Sequence, residues 1–525
     1  MRSRTSWWLV GLLAAGAWGA TGCNMVTGAD DIVFGPVGGD GSGGSTSSSG
    51  SSSGTGAGTT SSSSGEGGGG LSGSGSGGHP PGPDLVPADG VMVHDIDLYQ
   101  GVRRPIVAGG APASSSVPIV AGRDGLMRVF YGTDGAYNGQ AVTVRLTIDG
   151  APPIEQSEVL SGSSSQAQLG STINLQVPGD LLAPGASFRV EVLQPAESTS
   201  GGNGGAAYPL GEGMAPLEVE QGGVKLKLLL VPVENNGSLP DTSPAQVERY
   251  HTWFYETYPV PAVEVTVRSQ AFPFNGYLGN YNGWSNLLDA ITDLRDQDGA
   301  AADVYYYGIH NADGNGLLGL GWVAGANDVW SRTAIGVGWT GETAPETAIH
   351  EVGHNHGRPH SPCGVAGDPA YPHWGASIGT WGYSPSKNQL LSPDQYVDFM
   401  SYCDPIWISD WTFRHIFERA KLVSTSAKIV VPAHLQNRTY DRIRVLDGVP
   451  TWRPAVTLHT PPQGETVAVQ VTTGGGPKTV TGHYYPYDHL PGGVLYVMQP
   501  VQLTQTQALQ QAVFSVEGQT FALSR

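Results

Sequence analysis

Charge is scarce in this 525-residue chain: 14% of its residues are Asp, Glu, Lys or Arg, and acids outnumber bases 45 to 26. A phosphate backbone needs a basic face, so a net charge of −19 excludes a nucleic-acid partner and is read as solubility in an extracellular medium. Beyond residue 20 no apolar run is long enough to span a membrane as a helix. Cysteine is rarer still, with three residues, Cys23, Cys363 and Cys403. From about residue 36 to 83 the chain is nearly all Gly, Ser and Thr, ending in Pro80-Pro81-Gly82-Pro83. Such a tract cannot bury enough apolar surface to offset its ordering entropy, and it is expected to be a disordered tether spanning roughly 40 Å. The remaining length is too great for one core and implies several domains.

What is present is concentrated in His350-Glu-Val-Gly-His-Asn-His-Gly-Arg-Pro-His360. His350 and His354 are four apart and share one face of a helix, the spacing two imidazoles need to hold one metal ion. Glu351 can then reach a water on the metal without being a ligand itself. Gly357 permits a sharp turn and Pro359 discourages further helix, so His360 can swing back as a third ligand. Three protein ligands leave a position open, the layout of a catalytic Zn2+ rather than a structural one. His356 lies two residues past His354, about 200° around the helix, and is read with His373 as a non-ligand.

With Met400-Ser401-Tyr402 following, these residues resemble the metzincin clan of zinc endopeptidases: His350, Glu351, His354, Gly357 and His360 match its motif, and Met400 its Met-turn. The resemblance covers about residues 343 to 420. It implies that Met400 is an apolar floor beneath the metal. It also implies that Tyr402, as in serralysins and astacins, approaches the zinc and then stabilises the oxyanion. The calcium-binding nonapeptide repeats of serralysins are missing. Leu317 to Trp339 falls where metzincins carry the edge strand that pairs with substrate, and a Gly-rich loop is the other reading of that segment. Asp313-Gly314-Asn315-Gly316 could ligate Ca2+, but turn chemistry explains it as well. No cysteine-switch propeptide is visible, because no Cys lies between Cys23 and the motif.

The N-terminus reads as a signal peptide over residues 1–23, with Arg2 and Arg4 before an apolar stretch from Trp7 to Ala20. Ala20-Thr21-Gly22-Cys23 resembles a bacterial lipobox, so Cys23 is expected to be lipidated, with ordinary signal cleavage as the alternative. Cys363 and Cys403 are then left as one even pair in an oxidising compartment, each near the metal site; a disulfide is preferred to metal-binding thiols.

Residues 24–84 are the linker. Period-two patterns such as Val142, Val144, Leu146 and Ile148 predict a β-sandwich over 85–221. In 222–426, strands alternate with helices, as at the apolar run from Val224 to Val233, the capping box from Ser243 and the apolar face Leu287, Ile291, Leu294. Thr343-Ala344-Pro345-Glu346 is read as capping the motif helix. Short strands return over 427–525, a β-domain expected to have no chemistry of its own.

The fold class expected is therefore multidomain, an α+β metzincin-like zinc peptidase domain flanked by an N-terminal β-sandwich and a small C-terminal β-domain. The expected activity is hydrolysis of peptide bonds in extracellular or surface proteins and glycoproteins, in the bacterial cell envelope through an N-terminal lipid or after secretion. The competing reading is a catalytically silent surface adhesin or glycan-binding protein on the same scaffold.

Overall fold

Strand patterns that alternate in the sequence bury alternate side chains, and those that run continuously apolar are buried on both faces. The computed structural model describes residues 33–34, 84–198, 205–311, 316–323, 325–426, 429–500 and 508–525. Cys23, the signal segment, nearly all of the linker, and Asp313, Gly314 and Asn315 lie outside them. The architecture is multidomain and mostly β, with few helices. None of the described helices is long and apolar enough to cross a membrane.

Two antiparallel sheets come first. One orders Ile173–Val177, Gly125–Thr133, Val91–Tyr99, Arg103–Ala108 and Ala111–Pro112; the other is built on Ser187–Pro195, Ala141–Ile148 and Ile154–Val159. In Ala141–Ile148 the apolar Val142, Val144, Leu146 and Ile148 are buried while Thr143, Arg145 and Thr147 are half-buried. They share one core with Ile96, Met127, Val129 and Leu175 from the facing sheet.

The central region alternates strands and helices: β1 (Leu226–Glu234), α1 (Pro244–Thr257), β2 (Val263–Val267), α2 (Tyr281–Gln297), β3 (Val304–His310), β4 (Gly319–Gly321), β5 (Thr333–Val337) and α3 (Thr343–Asn355). Its sheet runs β2-β1-β3-β5-β4, parallel except for the antiparallel edge strand β4. Helices cover both faces, which explains the unbroken apolar run in β1. Leu226, Leu228 and Leu230 pack with Tyr250 and Phe254 of α1, Ile349 and Val352 of α3, and Phe413 and Ile416 of α4 (Asp410–Ser426). Val231 and Val233 pack on the other side against Trp284, Leu287 and Ile291 of α2.

Ser243 caps α1 as its sequence predicts, accepting from Gln246 N. The motif helix α3 differs. It starts one residue earlier than expected, with Glu342 at the capping position and no side-chain cap bond, because the Glu342 carboxylate accepts from Trp253 Nε1 (2.6 Å) and from Arg249 of α1. Arg123, from the N-terminal sheets, is buried at the other end of α1. Its guanidinium donates to the carbonyls of Tyr255, Tyr258 (2.9 Å) and Val260 (2.8 Å), satisfying oxygens left free where the helix stops.

The C-terminal sheet has seven antiparallel strands, β6 (Arg438–Leu446), β7 (Val449–Leu458), β8 (Glu465–Thr473), β9 (Gly476–Pro486), β10 (Gly492–Met498), β11 (Leu509–Val516) and β12 (Gln519–Ser524), ordered β7-β6-β10-β9-β8-β11-β12. It does not stand apart from the central region. Tyr440, Tyr485, Tyr487, Leu490 and Tyr496 share a core with Trp284, Trp322 and Trp330. Arg444 donates to Ser285 Oγ, Asn286 Oδ1 and Asn282 Oδ1, each at 2.8 Å, and Arg442 to Asp293 Oδ1 at 3.1 Å.

Asp289 of α2 sits inside this interface, with neither carboxylate oxygen accepting a hydrogen bond among the described residues. Burial pushes it from 3.8 up to about 6, against the opposing pull of Arg442, Arg453 and Arg444. A carboxyl raised on folding contributes stability that is full below its unfolded value and is lost as pH rises through the folded value. Denaturant titrations should therefore show the wild type losing about 2 kcal/mol relative to Asp289→Asn between pH 4 and 7. Parallel pH profiles for the two proteins would refute this.

Candidate metal centre and active-site cleft

Helix α3 carries His350, Glu351 and His354 on a buried face. Gly357, at φ +74°, turns the chain immediately after the helix. That turn brings His360 back until its ring centroid lies 5.3 Å from that of His350 and 4.7 Å from that of His354. His350 Nδ1 donates to Phe399 O at 2.7 Å, and His354 Nδ1 to Arg358 O at 2.6 Å. A carbonyl only accepts, so each bond places the ring proton on Nδ1 and leaves Nε2 as a bare lone pair. The two Nε2 atoms then face each other 3.2 Å apart. Burial holds both imidazoles well below their usual range and His360 at about 4, so none relieves the repulsion by taking a proton at neutral pH. His360 Nε2 is also buried without a hydrogen-bond partner among the described residues. Converging neutral imidazole lone pairs with their other nitrogens tied to carbonyls fit a cation.

The other groups expected here are brought to the same place, and two more arrive that the sequence reading missed. Asp488 and His489, on the turn between β9 and β10, reach the centre from the C-terminal sheet. His489 Nε2 lies 3.0 Å from Glu351 Oε1 and 3.2 Å from Asp488 Oδ2, while its Nδ1 bonds the Tyr402 hydroxyl. Asp488 Oδ2 is 3.4 Å from His354 Nε2 and accepts from Gly321 N at 3.1 Å. His350, His354, His360 and His489 form one set of donors close enough to hold a metal ion; Glu351, His354, Asp488 and His489 form another. The expectation that the C-terminal strands carry no chemistry is therefore corrected. Burial raises Glu351 to about 8, a hydrogen bond from Asp488 drawing it partly back, and burial raises Asp488 well above the carboxylate range. The remaining histidines are engaged elsewhere. His356 donates to Val352 O and stacks on Tyr305, and His373 bonds Asp410 Oδ1 at 2.6 Å.

Met400 is fully buried beneath α3, and a side chain at Gly353 would meet its sulfur at 2.4 Å, so only glycine allows that approach. Cys363 and Cys403 form a disulfide joining the loop after His360 to the loop after Met400. An open cleft of about 460 Å³ leads to the centre, lined by Leu317, Leu318 and Gly319 on one side and by Thr347, Tyr402 and Asp404 on the other. The expected edge strand is present as β4, reduced to three residues, with Leu317 and Leu318 leading into it along the cleft wall.

A metal-fitted cluster in an open cleft beside a sheet edge defines a hydrolase-like site. The chain matches the family model described as Peptidase M66 over residues 287–399, a span that holds α3 and all three motif histidines. That match supports a peptidase. No curated protein matches the chain. A solved structure described as "Structure of a chaperone-substrate complex" aligns at 13% identity, covering 49% of this chain and 44% of that one, with a TM-score of 0.24, and carries no argument.

The disulfide closes a loop across a sequence separation of 40 residues. Replacing Cys363 and Cys403 together by Ser should cost about 4 kcal/mol of unfolding free energy in the chain-entropy model, measured by denaturant titration. A loss under about 1 kcal/mol would mean the loops hold each other without it.

Proposed function

We propose that this protein is a zinc-dependent endopeptidase of metzincin type that cleaves extracellular or surface proteins and glycoproteins. The observation that carries this reading is the pair of His350 and His354 lone pairs fixed face to face by carbonyl bonds, with His360 beside them and Glu351 on the same helix. His350, His354 and His360 would hold the ion, and Met400 supports the helix from below. A divalent ion held there would supply Lewis-acid chemistry, lowering the pKa of a water and polarising the scissile carbonyl. Glu351 takes the proton from the attacking water and delivers it to the leaving amine. A nearby cation favours its carboxylate form, offsetting the burial that raises it. Tyr402, half-exposed at the cleft, donates its hydroxyl to the oxyanion that develops on the scissile carbonyl. The substrate backbone runs along the cleft beside Leu317 and Leu318, next to the edge strand.

The same reading places the chain in the bacterial envelope, tethered by lipid on Cys23 and held off the membrane by the linker. A Cys23→Ser chain appearing in the soluble rather than the membrane fraction is the expected outcome there.

Hydrolysis of casein by residues 85–525 should be lost on chelation and restored by Zn2+. It should fall by about 10²–10⁴ in Glu351→Ala with zinc content unchanged. Tyr402→Phe should lower kcat by about 10² with little change in KM. A wild-type protein that binds no zinc would sink the proposal. Full zinc occupancy with no cleavage of either casein or a glycoprotein would favour the binding-protein reading.

A further inference from the structure

The turn between β9 and β10 approaches the centre along the sheet edge. Tyr487 makes an antiparallel bridge to Trp322, just beyond β4, and Asp488 then accepts from Gly321 N. Leu490, on the far side of His489, is anchored in the aromatic core shared with α2. His489 is thus held from both sides and its ring stands among those of His350, His354 and His360, with centroids 5.2, 5.7 and 5.0 Å away. The four rings each offer a donor atom within 4.8 Å of every other.

We propose that His489 is a fourth protein ligand of the metal, its Nε2 completing a four-imidazole set, so that the resting centre is closed by the chain's own C-terminal sheet. This rests on the zinc-peptidase reading and adds to it the state in which the site waits. Tyr402 bonds Nδ1 of the His489 ring, so Nε2 is the atom directed at the other donors; a hydroxyl, unlike the carbonyls of Phe399 and Arg358, can donate or accept, and ligation through Nε2 has it accept from Nδ1. Asp488 is a positioning residue: its carboxyl, fully buried, ties the turn to β4 and lies against the carboxyl of Glu351. The same imidazole bonds Tyr402 through Nδ1 and, with Nε2 3.0 Å from Glu351 Oε1, stands in front of the Glu351 carboxyl, so it blocks both groups that the hydrolysis needs free. Substrate entry therefore requires that His489 leave, and its departure releases base and oxyanion donor together. With Arg442 and Arg444 locking β6 to α2, that movement belongs to the short turn and not to the whole sheet.

The test uses the full chain loaded with zinc, with metal content measured first and X-ray absorption then read for the coordination shell. The expected wild-type shell is four imidazole nitrogens with no oxygen donor. His489→Ala should change it to three imidazoles and an oxygen and weaken zinc affinity by at least about ten-fold. The visible spectrum of the Co2+-substituted variant should respond to azide where that of the wild type does not. Tyr402→Phe should keep the four-nitrogen shell. Should His489→Ala fail to fold, the wild-type shell decides alone. A wild type holding one zinc through three imidazoles and an oxygen would overturn the fourth ligand and leave the peptidase reading standing. A wild type that holds no zinc would remove both.

Discussion

Two backbone carbonyls, those of Phe399 and Arg358, decide which nitrogen of His350 and His354 keeps its proton, and the rest of the centre depends on that choice. With the proton on Nδ1 the lone pairs converge; with the other tautomer they would be capped and the pair could satisfy itself by an ordinary hydrogen bond. Neither carbonyl belongs to α3 itself. Arg358 lies on the turn made by Gly357, and Phe399 directly precedes Met400. The donor set therefore exists only while both loops are held against the helix. They are laced to each other as well: Ser361 N donates to Met400 O, Tyr402 N to Cys363 O, and Asp398 accepts from Met400 N, Ser409 N and the Ser361 hydroxyl. The disulfide adds a covalent tie at the end of the same lacing.

The helix is placed in turn by a sheet that is buried on both sides. On one side α1, α3 and α4 share a core, and Arg123 brings the N-terminal sheets into it by finishing the end of α1. On the other side α2 is sandwiched between the central sheet and the C-terminal sheet, where Trp284, Trp322, Trp330, Tyr485 and Tyr496 bury large rings together. Large buried rings contribute more than any of the polar contacts around them. The arginine contacts add direction to this packing, since each side-chain amide or hydroxyl that Arg444 meets lies at one defined position along α2. A sheet docked in this way delivers the β9–β10 turn to the centre.

What could be read from the sequence was what local periodicity controls. His350 and His354 share a face because a helix repeats every 3.6 residues, and Gly357 and His360 follow within a single turn of chain. Cys363 and Cys403 could be paired because so few cysteines leave little choice. The alternating strands of the first region and the strand–helix order of the second were legible for the same reason. Asp488 and His489 were not. They are separated from Glu351 by 138 residues in the case of His489, and no spacing rule spans such a distance. Around them, Tyr484, Tyr485 and Tyr487 look like an ordinary half-buried strand ending in a Pro-Gly turn, and only the packing of the Tyr485 and Tyr487 rings on Trp322 shows where the turn points. The start of α3 was misjudged on a smaller scale: Thr343, read as the cap, is the first helical residue, and Glu342 takes the capping place with its carboxylate engaged by Trp253 and Arg249 of a neighbouring helix.

The bridge between Trp322 and Tyr487 bears on the proposed closure of the centre beyond the count of its ligands. An exposed sheet edge invites a strand, and here the far end of that edge is taken by the chain's own Tyr487 and Asp488 while Leu317 and Leu318, before β4, line the open cleft. A polypeptide entering the cleft would meet, beside the three motif histidines, a segment of the chain's own backbone carrying His489. Under the proposed closure, displacing that segment would cost the His489 ligand bond and its contact with Tyr402, and a substrate would recover that cost only by occupying enough of the cleft. Short or poorly seated peptides would then gain too little contact to open the centre, while a long chain lying along the whole cleft would gain enough. Selectivity for extended substrates would then follow from the proposed closure itself, without a deep pocket for any one side chain.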